Sequence, residues 1–418
     1  MVPQVECGSY NLEPQKNLMK ITIPPYQRIA LVLQGGGALG SYQAGVFEGL
    51  ADNGIQPDWV AGISIGSLNC AVIAGNAPKD RVEKLKEFWE AICRTPSPLA
   101  NFLMFASNMY SGSQHGMEML NSAHLEKMFG SVAAANAIMH GQTNFFVPKP
   151  FAPGVGNPAK VSFYDTSPLI ATLEKFCDFD RINDSKLMRV SVGATNVRTG
   201  NFVYFDNTEM KLEPKHFIAS GSLPPGFPAT EIDGEFYWDG GCVSNTPLDQ
   251  IYELCKARKM DTLIFQIDLW SALGEVPRTL FEVLERQKDI QYSSRTRSTT
   301  NGIKNMQRMR KLLSDTLDRI PESVKAKDSW FSDLKVELDD AKLNCIHLIY
   351  KNKPIEGHFK DYEFSFETMK MHWNTGLEDI LETLSNPESM KLPVTGENFT
   401  QYDFHRAQKP SNTLKGKK

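Results

Sequence analysis

The chain lacks an excess of charge of either sign: 45 Lys and Arg stand against 49 Asp and Glu, a formal net charge of −4. No global basic field gathers a polyanion, so composition gives nucleic-acid binding no support. The cysteine pattern of a stapled or metal-holding protein is also missing. Cysteines at 7, 70, 93, 177, 242, 255 and 345 are widely spaced, odd in number and without a Cys-x-x-Cys pair. Neither a disulfide framework nor a zinc site is suggested, and a reducing compartment fits best. No stretch reaches the ~18 consecutive apolar residues of a spanning helix. Residues 1–20, which include Glu6 and Glu13, lack the apolar centre of a signal peptide. The expectation is a cytoplasmic protein, soluble or held peripherally at a membrane.

What is present is ordinary globular composition, 41% hydrophobic and 22% charged over 418 residues, enough to bury a large core. The apolar run 28–34 leads straight into Gly35-Gly36-Gly37-Ala38-Leu39-Gly40, and from Ser41 to Asp52 the apolar residues recur at helical spacing before Gly54. Strand, glycine turn and helix are predicted, and the pattern repeats: a strand over 58–61, the turn Gly62-Ile63-Ser64-Ile65-Gly66, and an apolar helix over 67–75. An amphipathic helix is predicted over 80–93. Four prolines and two glycines make 142–161 a long irregular loop. Strands are predicted over 189–192, 201–205, 261–268 and 343–350, and mostly helix over 276–318. Strands alternating with helices imply a parallel sheet covered on both faces, so the fold class is an α/β three-layer sandwich with a mostly parallel central sheet.

Gly62-Ile63-Ser64-Ile65-Gly66 has the shape of a nucleophile elbow, a serine on a tight strand-to-helix turn whose flanking glycines let neighbouring backbone pass. Chance gives such a pentapeptide ~0.15 times in a chain of this length, and a small-residue helix entry capped by Ser64 satisfies it equally well. Gly35, Gly37 and Gly40 fit G-x-G-x-x-G, the dinucleotide fingerprint, but its ribose-holding acid belongs at the end of the second strand, where Gly62 and Ser64 stand; Asp58 lies at that strand's start. The other reading puts the N–H groups of Gly36, Gly37 and Ala38 around an oxyanion. A base for the serine could come from eight histidines, at 115, 124, 140, 216, 347, 358, 372 and 405, none in a conspicuous turn. It could also come from Asp239 in Tyr237-Trp238-Asp239-Gly240-Gly241, which a hairpin turn would equally explain. A carboxyl near pKa ~3.9 is a weak base in water and needs a partly buried place beside the serine. Asp206, after another strand, has no partner motif, and the Met109, Met117, Met119 and Met128 series reads as packing or surface residues.

Together these residues resemble the patatin-like phospholipase family, whose motifs are a glycine-rich oxyanion loop, a G-x-S-x-G serine and a D-G-G/A aspartate. All occur in family order, at Gly35 to Gly40, Gly62 to Gly66 and Asp239 to Gly241. Ala219-Ser220-Gly221-Ser222 with Phe227-Pro228, and Asn245-Thr246-Pro247, resemble the blocks flanking the aspartate. The resemblance implies Ser64 as nucleophile, Asp239 as general base and Gly36, Gly37 and Ala38 as oxyanion hole, with no metal or organic cofactor and a lipid ester as substrate. Leu39 stands where many members carry Arg or Lys.

The resemblance covers roughly 28–270, the expected catalytic domain, after a polar lead over 1–27. A helical and strand extension over 271–390, packed on or extending the sheet, and a polar tail over 391–418 follow. Two segments are candidate membrane contacts, each with a plainer reading as core or solvated face: the apolar run 99–110, and the cations between Arg286 and Lys311. A Ser-His-Asp hydrolase using His347 or His372, an NAD-dependent oxidoreductase and a catalytically silent lipid-binding protein are the competing classes.

Overall fold

The computed structural model describes residues 25–93, 134–149, 156–338, 341–351, 359–393 and 398–403. The apolar run 99–110, the Met109–Met128 series, His115, His124, His358 and His405, and most of the lead and tail lie outside the described residues.

The elements begin with β1 (Arg28–Leu33), α1 (Gly40–Asp52), β2 (Trp59–Ile63), α2 (Ile65–Ala74) and α3 (Arg81–Cys93). After them come the short pair β3 (Val147–Pro148) and β4 (Tyr164–Asp165), then α4 (Ser167–Phe176) and α5 (Phe179–Ile182). Next are β5 (Arg189–Asn196), β6 (Phe202–Asp206), α6 (Pro214–Ser220), β7 (Thr230–Ile232), β8 (Glu235–Asp239), α7 (Leu248–Ala257) and β9 (Thr262–Asp268). The C-terminal part supplies α8 (Leu280–Asp318), α9 (Glu322–Lys325), α10 (Trp330–Leu338), β10 (Leu343–Ile349), α11 (Phe366–Leu384) and β11 (Phe399–Tyr402). Helix α2 starts at Ile65, two residues before the predicted start, because Ser64 alone makes the turn. Within the predicted loop 142–161, the described residues 142–149 and 156–161 are largely irregular, interrupted by β3 and a 3-10 turn at Pro158–Lys160.

One sheet carries the strands in the order β11-β10-β9-β1-β2-β5-β8-β7, with β6 also paired to β5. From β11 to β5 every pairing is parallel, and β6, β7 and β8 are antiparallel additions. Side chains alternate across a strand, and β1 divides its own between two cores. Leu31 and Leu33 pack with residues of α1, α2, α3 and α11, while Ala30 and Val32 pack with Leu248, Ile251 and Cys255 of α7 and Ile303 of α8. Helices on both faces make the three-layer sandwich that the alternating sequence pattern predicts.

The C-terminal strands β10 and β11 belong to this same sheet, and α11 lies along α1 on its face. Two polar contacts pin that helix pair: Tyr42 Oη donates to Asp379 (2.7 Å) and Trp373 Nε1 donates to Glu48 (2.5 Å).

The glycine loop leaves the carboxyl end of β1, Ser64 follows β2, and Leu269 and Trp270 follow β9. The strand order runs away from β1 in both directions, and ligands of open α/β sheets bind in the crevice at such a switch point. Asp239 arrives from a strand of opposite direction. It pairs with Ala194 while Gly193 pairs with Ile63, so the end of β8 and the end of β2 lie at the same height in the sheet.

Candidate active site

Ser64 has φ 55° and ψ −126°, a backbone region that a residue with a Cβ adopts only when its surroundings hold it there. Its N–H donates to the carbonyl (3.1 Å) and hydroxyl (2.9 Å) oxygens of Ser220, and the Ser220 hydroxyl donates to the Gly193 carbonyl (2.6 Å). On the far side, the Ser67 hydroxyl donates to the Ser64 carbonyl (2.6 Å). The two glycines of the pentapeptide are required by close approach. A Cβ on Gly62 would lie 2.4 Å from the Gly66 carbonyl oxygen, and one on Gly66 would lie 2.4 Å from that of Leu33.

Asp239 is 2% exposed, and its carboxyl lies beside the Ser64 hydroxyl, which favours its ionised form. Oδ1 also accepts the Gly241 N–H (2.7 Å), which closes the 3-10 turn Gly240–Cys242. The backbone N–H of Asp239 donates to Ser222 (2.9 Å) and the Thr195 hydroxyl donates to its carbonyl (3.1 Å). Loss of hydration pushes its pKa up to about 7, against the opposing pull of the bonds from Ser64 and Gly241. Burial thus brings a carboxyl that in water is a weak base towards neutrality.

The glycine loop turns sharply at Gly37, whose φ of +57° suits glycine. Among the described residues, the amides of Gly36 and Gly37 find no hydrogen-bond partner, and both glycines line the cleft with Ser64 and Asp239. Ala38 differs from the expectation. Its N–H donates to the Asp361 carbonyl oxygen (3.0 Å), so among the described residues two of the three amides are unengaged. Leu39 is fully buried, and the place of a basic side chain is part of the core. Gly35 follows two residues after the end of β1 and Gly40 opens α1.

Ser64 and Asp239 lie in one open-mouthed cleft of about 800 Å³, counting the solvent above it. Its wall is mostly apolar, with Phe145, Phe146, Leu169, Ile218, Phe227 and Phe364 on it. Asp361, Tyr362 and Phe364 come from the C-terminal extension, to which sequence reasoning assigned no chemistry.

The other sequence candidates lie elsewhere. Both ring nitrogens of His347 are engaged away from Ser64, Nε2 with Asp268 (2.7 Å) and Nδ1 with Gln401 (3.0 Å). His372 is fully buried, with its ring against Tyr350. Asp206 accepts from Arg189 (2.9 Å) and Ser191 (2.6 Å), a buried structural group. Asp58, at the start of β2, pairs with Arg28 (3.3 Å) and cannot serve a nucleotide at the strands' other end. Among the described residues no cluster of His, Cys, Asp and Glu could hold a metal ion, and no helix is long and apolar enough to cross a membrane.

Over 92 residues the chain is 32% identical to the triacylglycerol lipase SDP1L of Arabidopsis thaliana, a match covering 22% of this chain and 12% of that protein. Among solved structures, VipD from Legionella pneumophila is 15% identical, with 88% of this chain and 70% of that one covered at a TM-score of 0.35. Human GIVD cytosolic phospholipase A2 is 11% identical, with 57% and 42% covered and a TM-score of 0.28. A family model described as patatin phospholipase matches residues 290–395, and the model described as patatin-like phospholipase matches residues 31–252. That second match takes in more than half of the chain, with the glycine loop, Ser64 and Asp239 inside it: the chain belongs to the patatin-like phospholipase family.

Proposed function

We propose that the protein is a serine acyl hydrolase that cleaves carboxylic esters of phospholipids or related lipids through a Ser64–Asp239 dyad. The observation carrying this reading is the Ser64 hydroxyl beside a buried carboxyl whose pKa is raised to about 7, in one cleft with Gly36 and Gly37, whose amides are unengaged among the described residues.

In the first step Ser64 Oγ attacks the acyl carbonyl carbon while its proton passes to Asp239. The carbonyl oxygen becomes an oxyanion and takes the hydrogen bonds of Gly36 and Gly37, which strengthen as charge develops. Collapse expels the alcohol, which leaves with the proton held by Asp239, and an acyl-enzyme on Ser64 remains. Water, deprotonated by Asp239, then attacks the acyl carbon and regenerates the hydroxyl. The phenylalanines and leucine of the cleft wall suit an acyl chain, which supports a lipid over a small polar ester.

In this reading residues 28–270 form the catalytic unit, and 271–390 extend its sheet and cover one side of its cleft, while the edge strand β11 comes from residues 399–402 of the expected polar tail. An encounter with substrate at a membrane surface is part of the proposal. It draws on exposed Arg297, Lys304, Arg308 and Lys311 of α8, because cations near an anionic surface gain ~1 kcal/mol each. Arg286 and Lys288 of the same run turn inward, to the Ala272 carbonyl (2.6 Å) and to Asp361 (2.8 Å).

Hydrolysis of phospholipid vesicles and of triacylglycerol emulsions by the intact chain and by Ser64→Ala tests the proposal. Fatty acid release by the former and none by the latter is expected. Vesicle binding without release by either would leave a silent lipid-binding protein.

A further inference from the structure

The Gly35 carbonyl is gripped from two directions, by Asn245 Nδ2 (3.0 Å) and by the indole Nε1 of Trp270 (2.8 Å). This carbonyl and the Gly36 N–H belong to one planar trans peptide, so they point in opposite directions and rotate together. Fixing the oxygen therefore fixes the hydrogen. We propose that Asn245 and Trp270 are positioning residues that aim the Gly36 amide into the cleft by holding the other edge of its peptide.

Both donors are themselves immobilised. Asn245 is 2% exposed and Trp270 3%. The Asn245 backbone carbonyl also accepts the Gly35 N–H (3.3 Å), so this residue grips both polar groups of Gly35. The Trp270 indole is packed against the Tyr292 ring (centroids 4.9 Å apart) and lies under the buried Lys360 ammonium (5.2 Å). Its backbone N–H donates to Gln34 Oε1 (3.2 Å), and the Gln34 amide donates to Thr246 (3.1 Å) and Thr296 (3.0 Å). A donor held in place before the reaction needs no reorganisation as the oxyanion forms. A glycine peptide without such a hold has little else to stop it turning.

The inference rests on the reading that Gly36 serves the oxyanion, and its test keeps the two apart. Trp270→Phe retains a ring and deletes the N–H; Asn245→Ala and the double variant complete the set. Each is made in the full chain and assayed on a soluble p-nitrophenyl ester. The kcat is expressed per site titrated to completion with a fluorophosphonate, so that unfolded protein lowers the titre and leaves kcat unaffected. Each single variant is expected to lose kcat on the order of tenfold with KM within about twofold, and the double on the order of 10²-fold, the loss typical of one oxyanion donor. Wild-type kcat in the single variants, or a change confined to KM, overturns the inference. Should one single variant fail to fold, the other carries the same two outcomes. Activity surviving in Ser64→Ala would instead remove the dyad reading; Ser64→Ala inactive beside fully active single variants would remove only the positioning role.

Discussion

Asp361 lends its backbone carbonyl to the amide of Ala38 at 3.0 Å, so a residue of the C-terminal extension closes one flank of the glycine loop. The segment bearing it is anchored to α8 twice, by Lys288 on the Asp361 carboxylate (2.8 and 2.9 Å) and by Lys360 on Asp289 (2.7 Å). The cleft is thus built by both ends of the chain.

Substitution of Gly37 by Ala tests that closure. The new Cβ would have to adopt φ +57° and would stand 2.2 Å from the Asp361 carbonyl oxygen, so loop and segment must part. A kcat loss on the order of 10²-fold is expected, with destabilisation of about 1–3 kcal/mol. Ester turnover per titrated site and chemical denaturation measure the two effects.

The pH dependence follows from Asp239. With its pKa raised to about 7 by burial, the carboxyl is protonated and unable to accept the Ser64 proton at lower pH. The ratio kcat/KM should rise with pH and level off above an apparent pKa near 7, where an unperturbed carboxylate would give a limb near ~4. A profile flat from pH 5 to 8 would contradict the assignment.

The same burial predicts that Asp239→Asn stabilises the protein. Between the unfolded pKa and about 7 the folded state binds the extra proton, so stability declines as pH rises through that window and the penalty is fully present above it. Removing the ionisable group should raise stability at pH 8 by about 1–3 kcal/mol and make little difference at pH 4. Thermal melts of the two proteins at both values check the sign.

Histidine should be dispensable. His347→Ala and His372→Ala are expected to keep kcat close to wild type per titrated site, because neither ring is directed to Ser64. A loss of ~10³-fold or more, the signature of a missing triad base, would restore the histidine mechanism.

Much of this arrangement could be read from the chain. Apolar runs ending in glycine marked β1 and β2, and the order of the three motifs pointed to Ser64 and Asp239 together. Periodicity could not place Asp361, since its role is a backbone carbonyl, a group every residue carries. Nor could it single out Trp270 or Asn245, whose side chains matter only through a peptide that lies near them after folding. By sequence alone Ala38 groups with its glycine neighbours, and only the packed extension distinguishes its amide from theirs.

The most direct test is fluorophosphonate labelling followed by peptide mass spectrometry on the intact chain, Ser64→Ala and Asp239→Asn. The account predicts a single phosphonylated residue, Ser64, with labelling abolished in the first variant and slowed at least 10²-fold in the second. Label on a different serine, or labelling of Asp239→Asn at the wild-type rate, would contradict it.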